Sequence, residues 1–260
     1  MEIAAGELTR AVDDTYGAEY FGCGRDPGDR AGISGYERYD RDTSNADVAA
    51  GIICAHFPTG RTLDVGCATG FVVEALRERD VDAYGVDVST YAIANAAPGA
   101  RDFVRRADAT EGLPFDDGEF ELISVLETLE HLPPEAIPGV VRELRRVCGG
   151  WLFATIPSFG PNEHGPDGWL NAKVNEDRLA YYQSLGTDYD GPVAYDDLYR
   201  DARGDPIEGH LTIASFRWWT RRFEEAGFVR RGDVEARIHP TVAAHGLTDF
   251  WNLYAFEIRP

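Results

Sequence analysis

Between Thr62 and Ile156 short apolar runs alternate with segments of helical spacing, and no other feature of the chain restricts its fold as much. Thr62 to Val65, Ala83 to Val86, Phe103-Val104, Phe120 to Leu126 and Trp151 to Ile156 read as strands. Phe71 to Glu78, Thr90 to Ala97 and Pro134 to Val147 read as the helices between them. Such alternation predicts a parallel sheet covered on both faces, with right-handed crossovers. After the fifth strand the rhythm breaks. Residues 157–210 are rich in Gly and Pro, with one helix expected at Asn175 to Leu185. Ala214 to Ala226 then reads as a helix stopped by Gly227, and Val229 to Ala236 and Phe250 to Ile258 as closing strands.

A chain of 260 residues fits one large domain. Its parts are expected to be an N-terminal arm and helix (1–60), a cofactor-binding half (61–157), a lid insertion (158–209), and a C-terminal helix with closing strands (210–260). A structureless stretch of that length inside a compact domain is more often a lid than a linker. The formal net charge of −20 repels phosphate backbones and anionic lipid, which favours small molecules over nucleic acid or membrane as partners. Cys23, Cys54, Cys67 and Cys148 lack CxxC spacing, which disfavours a zinc knuckle. No apolar run is long enough to span a bilayer, and the first residues lack a signal-peptide pattern, so a cytoplasmic protein is expected. Monomer and homodimer stay open.

The segment Leu63-Asp64-Val65-Gly66-Cys67-Ala68-Thr69-Gly70-Phe71 is a strand ending in a small-residue turn that opens a helix. Ligands of open α/β sheets sit at the carboxyl ends of the strands. Gly66 and Gly70 let a ligand approach the backbone. The spacing is not GxGxxG, since Ala68 and Phe71 occupy the later glycine positions, and no GK[ST] follows. The turn is therefore poorly suited to pyrophosphate, which disfavours an NAD-dependent oxidoreductase. Asp87 ends the second strand, where a carboxylate accepts both hydroxyls of a ribose. Asp108 follows the third strand, at the level of an adenine amine.

With turn, acid and acid in this order, the chain resembles the class I S-adenosylmethionine-dependent methyltransferases, closely over 60–157 and loosely over 210–260. The resemblance implies a Rossmann-like doubly wound α/β fold, a seven-stranded sheet whose last strand is antiparallel. It implies that Gly66 and Gly70 lie along the methionine part of S-adenosylmethionine and that Asp64 orients its amino end. It gives Asp87 with Val88 to the ribose and Asp108-Ala109 to the adenine, and adds Ala68, Leu126 and Tyr36 to the cofactor residues. Ala68 stands where many members have Gly. The phrases Tyr16 to Phe21, Gly35-Tyr36 and Tyr84 to Ile93 look like members that methylate sugars or natural products.

After the fourth strand comes Glu127-Thr128-Leu129-Glu130-His131. In a helical turn, Glu127 with Glu130 and Glu127 with His131 share one face. Two carboxylates and an imidazole form half a divalent-metal site, whose mixed donors suit Mn, Fe, Co or Zn better than Mg. Glu163, His164 and His210 are candidates to complete it. The pattern resembles that of metal-dependent small-RNA 2′-O-methyltransferases and some quinone-pathway O-methyltransferases. A later histidine completes the site in the former, and His210 suits that place. The same pair also occurs without metal.

The sulfonium methyl is already activated, so transfer needs an aligned nucleophile and a dry site. A hydroxyl must also lose its proton, to a His base or with the help of a divalent metal ion. His131, His210 and Glu127 are thus the candidate catalytic residues of an O-methyltransferase acting on a small molecule, a sugar or natural-product hydroxyl. An N- or C-methyltransferase, which needs no such cluster, and a non-catalytic cofactor-binding partner protein are the alternatives. Tyr16, Tyr20, Phe21, Tyr36 and Tyr39 could cover the cofactor, and Trp169, Tyr181, Tyr182, Tyr189, Tyr195 and Tyr199 could line the lid; both groups could also simply pack. Arg217, Arg221 and Arg222 are expected on the solvated face of their helix.

Overall fold

The computed structural model describes residues 15–22, 38–168, 174–185, 189–200, 204, 206–247 and 251–259. The opening residues, Cys23, Gly35, Tyr36, Trp169 and Phe250 lie outside the described residues. In chain order, helix α1 (Ala46–His56) leads into β1 (Thr62–Val65), α2 (Phe71–Arg77), β2 (Ala83–Asp87), α3 (Thr90–Ala94) and β3 (Val104–Arg106). Next come β4 (Phe120–Leu126), α4 (Ile137–Val147) and β5 (Cys148–Thr155), and a short β6 (Ser158–Phe159) begins the irregular segment that contains α5 (Glu176–Leu185). The chain closes with β7 (Ala214–Ser215), α6 (Phe216–Glu225), β8 (Phe228–Arg230), α7 (Gly232–Ala244) and β9 (Leu253–Ile258).

Seven strands make one sheet in the order β3-β2-β1-β4-β5-β9-β8. β1 to β5 pair in parallel, and β9 runs antiparallel to both its neighbours. The parallel part is what the alternation predicts, and the whole is the Rossmann-like doubly wound sheet with a reversed last strand that the family resemblance implies. β1 and β4 are adjacent although β2 and β3 intervene in the sequence. Strand order reverses there, so the loops after β1 and β4 open a crevice at the carboxyl edge.

Two apolar layers flank the sheet. One packs α4 and α6 through Val140, Leu144, Trp219 and Phe223 onto Leu63, Ile123 and Phe256. The other packs α1, α2 and α7 through Ile53, Leu76, Ile238 and Val242 onto Leu122, Phe153 and Leu253. Trp218 and Trp219 belong to the core, as helix period suggests.

One expectation is corrected. The run Val229 to Ala236 is a strand only at Phe228–Arg230, after which the chain turns into α7. Val234, Ile238 and Val242 are buried at every fourth residue, a helical face that the strand reading overlooked. Arg217 and Arg221 of α6 are exposed, as expected for a solvated face, and Arg222 is half-buried. Arg221 lies 2.7 Å from Asp190 of the irregular segment, and Arg222 is 3.1 Å from Glu225 and stacks over Trp218. Segment 158–209 also buries a small core of its own, formed by Phe159, Tyr182, Val193 and Leu198 with Val174 and Ile213. Tyr189 packs on that core, stacked on Phe159, whereas Tyr181, Tyr195 and Tyr199 are exposed. Among the described residues no helix is long and apolar enough to cross a membrane.

Candidate functional site

The turn after β1 is pinned to β2: the N–H groups of Gly66 and Cys67 both donate to the Val86 carbonyl, at 2.8 and 3.0 Å. Gly66, Ala68 and Gly70 all have left-handed φ, 79°, 48° and 79°. At Gly66 a side chain is excluded twice over. Its φ disfavours one, and a methyl group there would collide with the Thr128 hydroxyl. Thr128 comes from the segment after β4, so the turn and that segment are in direct contact. Thr128 itself donates to Leu126 O at 3.0 Å.

Asp87 ties the turn to the next loop. Its Oδ2 accepts from Ala68 N–H and its Oδ1 from Ser89 N–H, both at 2.8 Å. Burial pushes its pKa up, and these backbone bonds oppose the shift. Val88 N–H adds a third backbone bond, and a carboxylate's roughly four lone-pair sites leave room for a further donor. Asp64 is buried below the turn, where Ser124 Oγ donates to its Oδ1 at 2.7 Å. Burial pushes its pKa up to about 7; the Ser124 bond lowers it and the charge of Asp87 adds to the rise. Asp108 is half-buried, and its Oδ1 accepts from the N–H and the hydroxyl of Thr110 at 2.8 and 2.7 Å. Val88 O accepts from Arg106 at 3.1 Å, while Ala109 packs against the core and Leu126 against the opposite layer.

The segment Glu127–His131 departs from the expected helical face. Glu127 has φ 48° and its N–H donates to Thr155 O at 2.9 Å, continuing the β4–β5 ladder; only Leu129–His131 forms a 3₁₀ turn. Glu127 is therefore not on one helical face with Glu130 and His131. What gathers here instead is Glu130, His131 and His210, each with one ligand atom within 4.8 Å of the others. Glu130 and His210 are buried. Two chain segments far apart in sequence are zipped together to make this cluster. The Glu130 carbonyl accepts from Leu211 N–H (2.7 Å) and Thr212 N–H (2.9 Å), and Thr212 Oγ1 donates to Leu132 O at 2.6 Å. The two imidazole rings meet edge to face, centroids 4.9 Å apart. A buried carboxylate with two imidazoles is a donor set that fits a divalent transition metal. It also fits a histidine base oriented by a carboxylate.

His131 is held from both sides. Nδ1 lies 3.3 Å from Gly209 O, and the Tyr20 hydroxyl lies 3.5 Å from Nε2. A carbonyl can only accept, so Nδ1 carries a proton, and in the neutral imidazole Nε2 then holds the lone pair. Tyr16 sits edge-on to His131 at 5.7 Å, and its carbonyl accepts from Ser89 Oγ at 2.6 Å. Burial raises the pKa of its phenol, and the charges of Glu130 and Asp87 raise it further. The arm residues 15–22 thus lie over the crevice between Asp87 and the cluster, with Phe21 stacked on Tyr91.

Of the sequence-derived residues, the structure brings His131, His210 and Glu130 together and sets Asp64, Gly66, Ala68 and Asp87 around one turn. Glu127 stays outside the cluster, and His164 is at the base of the irregular segment against Gly232 of α7. Sequence reasoning did not flag Thr128, Ser124 or Glu208. Glu208 Oε2 lies 3.7 Å from His210 Nε2. A Glu-Gly-His string next to an expected histidine was the available signal.

Residues 63–154 match the family described as methyltransferase domain. The chain is 29% identical over 102 residues to a ubiquinone biosynthesis O-methyltransferase of Methylococcus capsulatus, covering 37% of this chain and 43% of that protein. It is 27% identical over 178 residues to the protein of that name in Paraburkholderia xenovorans, covering 60% and 74%. The chain thus spans less than half the length of the first relative. The magnesium protoporphyrin IX methyltransferase of Synechocystis with bound S-adenosylmethionine superposes with a TM-score of 0.55 at 13% identity, over 99% of this chain and 100% of that one. An S-adenosylmethionine-dependent methyltransferase of Mesorhizobium loti gives 0.52 at 17% identity, over 82% and 99%. At these identities the fold is what is shared.

Proposed function

With a class I S-adenosylmethionine-dependent methyltransferase domain over residues 63–154 as the premise, we propose that this chain is an O-methyltransferase acting on a hydroxyl of a small molecule, a sugar or natural-product intermediate. One observation carries the reading: two imidazoles and a buried carboxylate converge beside the cofactor turn, linked to it by the Thr128–Gly66 contact. An amine acceptor needs no such group, whereas a hydroxyl must be relieved of its proton. The relatives named O-methyltransferases point the same way.

In this reading the turn holds the methionine end of the cofactor, with Asp64 facing its ammonium and Asp87 its ribose hydroxyls. Asp108 and Ala109 serve the adenine. The acceptor lies under the arm, where its hydroxyl meets His131 Nε2. His131 Nδ1–H, bonded to Gly209 O, keeps that nitrogen unprotonated and aimed. Glu130 stabilises positive charge that develops on the imidazoles. Segment 158–209 acts as the lid, and Tyr16 and Tyr20 close the site from the other side, excluding water. In the metal-assisted form of the site, a divalent ion held by Glu130, His131 and His210 would occupy the His131 Nε2 lone pair and lower the pKa of the acceptor hydroxyl in place of a histidine base.

The test is S-adenosylhomocysteine release with a panel of catechols, sugars and primary amines, using the full chain and its His131→Ala and His210→Ala variants. Hydroxyl acceptors should be methylated by the wild type and lost in both variants. Turnover only with amines, unaffected by either substitution, would replace the O-methyl reading by N-methylation.

A further inference from the structure

This inference rests on the divalent-ion reading of the Glu130, His131 and His210 cluster. We propose that Glu208 is the fourth protein donor of that site, in the place for which the sequence offered Glu127.

Glu130 Oε1 lies 3.9 Å and Glu208 Oε2 lies 3.7 Å from the same atom, His210 Nε2. Both separations are too long for hydrogen bonds. They are close to the spacing of neighbouring donors on one ion: two atoms each about 2.1 Å from a tetrahedral metal stand about 3.4 Å apart. The two carboxylates approach His210 with different exposures. The Glu130 side chain is fully buried, while that of Glu208 is 41% exposed. Glu208 stands outside the set of donor atoms that already lie within 4.8 Å of one another, so its solvent-side carboxylate would swing inward to join the fixed inner one, and that movement gives the ion an entry path. Two carboxylates with two neutral imidazoles also cancel the charge of a divalent cation.

The backbone supplies the independent observation. Glu208 has φ 57° and Gly209 has φ 71°, consecutive left-handed residues. A side chain in that region costs about 1–2 kcal/mol, and such strain persists where the surroundings hold it. The surroundings here are the cluster. Gly209 O accepts from His131 Nδ1, a contact of the kind that orients metal-ligating histidines and leaves Nε2 as the ligand atom. Three consecutive residues therefore serve one site: Glu208 by its carboxylate, Gly209 by its carbonyl and His210 by its ring. The Tyr20 hydroxyl faces the same His131 Nε2 at 3.5 Å, on the side from which an acceptor hydroxyl would come. Glu127 is held away by its place in the β4–β5 ladder.

Cobalt(II) titration of the full chain tests the assignment, reading the visible absorption of four-coordinate cobalt and the affinity by chelator competition. Surface-bound hydrated cobalt lacks that absorption, so the acidic exterior does not confuse the readout. Wild type should bind one ion per chain. Loss of an outer-shell partner already weakens metal sites by about 10–100-fold, so Glu208→Gln should weaken cobalt at least that much and alter the spectrum. Glu208→Gly should lose affinity equally while melting higher, because it relieves the left-handed strain. Glu127→Gln should bind as wild type. If both Glu208 variants bind cobalt with wild-type affinity and spectrum, Glu208 is a turn residue only and the three-residue ion site stands without it. If wild type takes up no cobalt, this inference and the ion reading both fall, and the histidine-base form of the O-methyl reading is what remains.

Discussion

The turn after β1 and the histidine cluster after β4 touch through Gly66 and Thr128, yet they are built in opposite ways. The turn is local. Its special φ angles lie within five residues, and the carboxylate that ties it down, Asp87, sits at the end of the adjacent strand. The cluster is assembled from two segments, 130–132 and 208–212, joined by the backbone bonds at Glu130 and by Thr212. A local site is set by sheet geometry shared across the fold. A composite site is set by what one chain places opposite its fourth strand. Cofactor recognition should therefore be separable from hydroxyl activation.

The largest expected effect breaks the composite side alone. His131→Ala or His210→Ala should lower kcat for a hydroxyl acceptor by about 10²–10⁴, the usual contribution of a positioned acid–base group. The affinity for S-adenosylmethionine should stay within about twofold, measured by calorimetric titration. A large loss of cofactor affinity would show that the two regions are not separable.

The reverse experiment follows in size. Asp87→Ala removes a carboxylate that can accept two ribose hydroxyls, bonds to a charged group contributing about 1.5–3 kcal/mol each. It also releases the N–H groups of Ala68 and Ser89. Cofactor affinity should fall by about 100-fold or more. Unchanged affinity would sink the assignment of Asp87 to the ribose.

The contrast also explains what the sequence disclosed. The strand and helix positions and the small-residue turn were legible because period and spacing are local, whereas the part given to Asp64 came through the family resemblance. His210 was placed beside His131 through resemblance and position, and the structure brings them together. Glu127 was misplaced because helical spacing was extended one turn too far, into a residue that still belongs to the strand ladder. Glu208 was invisible because its part depends on a left-handed backbone that composition does not announce. The strand reading of 229–236 failed for a related reason: it carried one extended run across Gly232, while burial at Val234, Ile238 and Val242 made a helix.

Acidity sharpens the local side. With its pKa near 7, Asp64 is protonated in mildly acidic solution. Binding the cofactor ammonium favours the carboxylate, so below pH 7 binding must release that proton. Affinity should rise about tenfold per pH unit up to about pH 7 and then level, with matching proton release in buffers of different ionisation heat. Stability runs the other way. The raised pKa contributes stability that is fully present below the ordinary aspartate range, and it is lost as pH rises through about 7. Asp64→Asn should flatten both profiles, and an affinity that falls between pH 6 and 7 would refute the assignment of Asp64 to the ammonium.

The smallest effect concerns Ala68, the one residue of the turn that departs from the glycine many related proteins carry. Its φ of 48° costs an alanine about 1–2 kcal/mol. Glycine would relieve that strain, but it gives the unfolded chain about 0.5–1 kcal/mol more entropy to lose. The net expectation for Ala68→Gly is a gain of about 0.5–1 kcal/mol, a melting temperature higher by about 1–4 °C. The bond from Ala68 N–H to Asp87 survives, since it needs only the backbone. The cluster, fixed by its own zipped segments, should keep its arrangement. A lower melting temperature would mean that the alanine methyl makes packing contacts worth more than its strain, and the turn would then be less independent of its surroundings than its hydrogen bonds suggest.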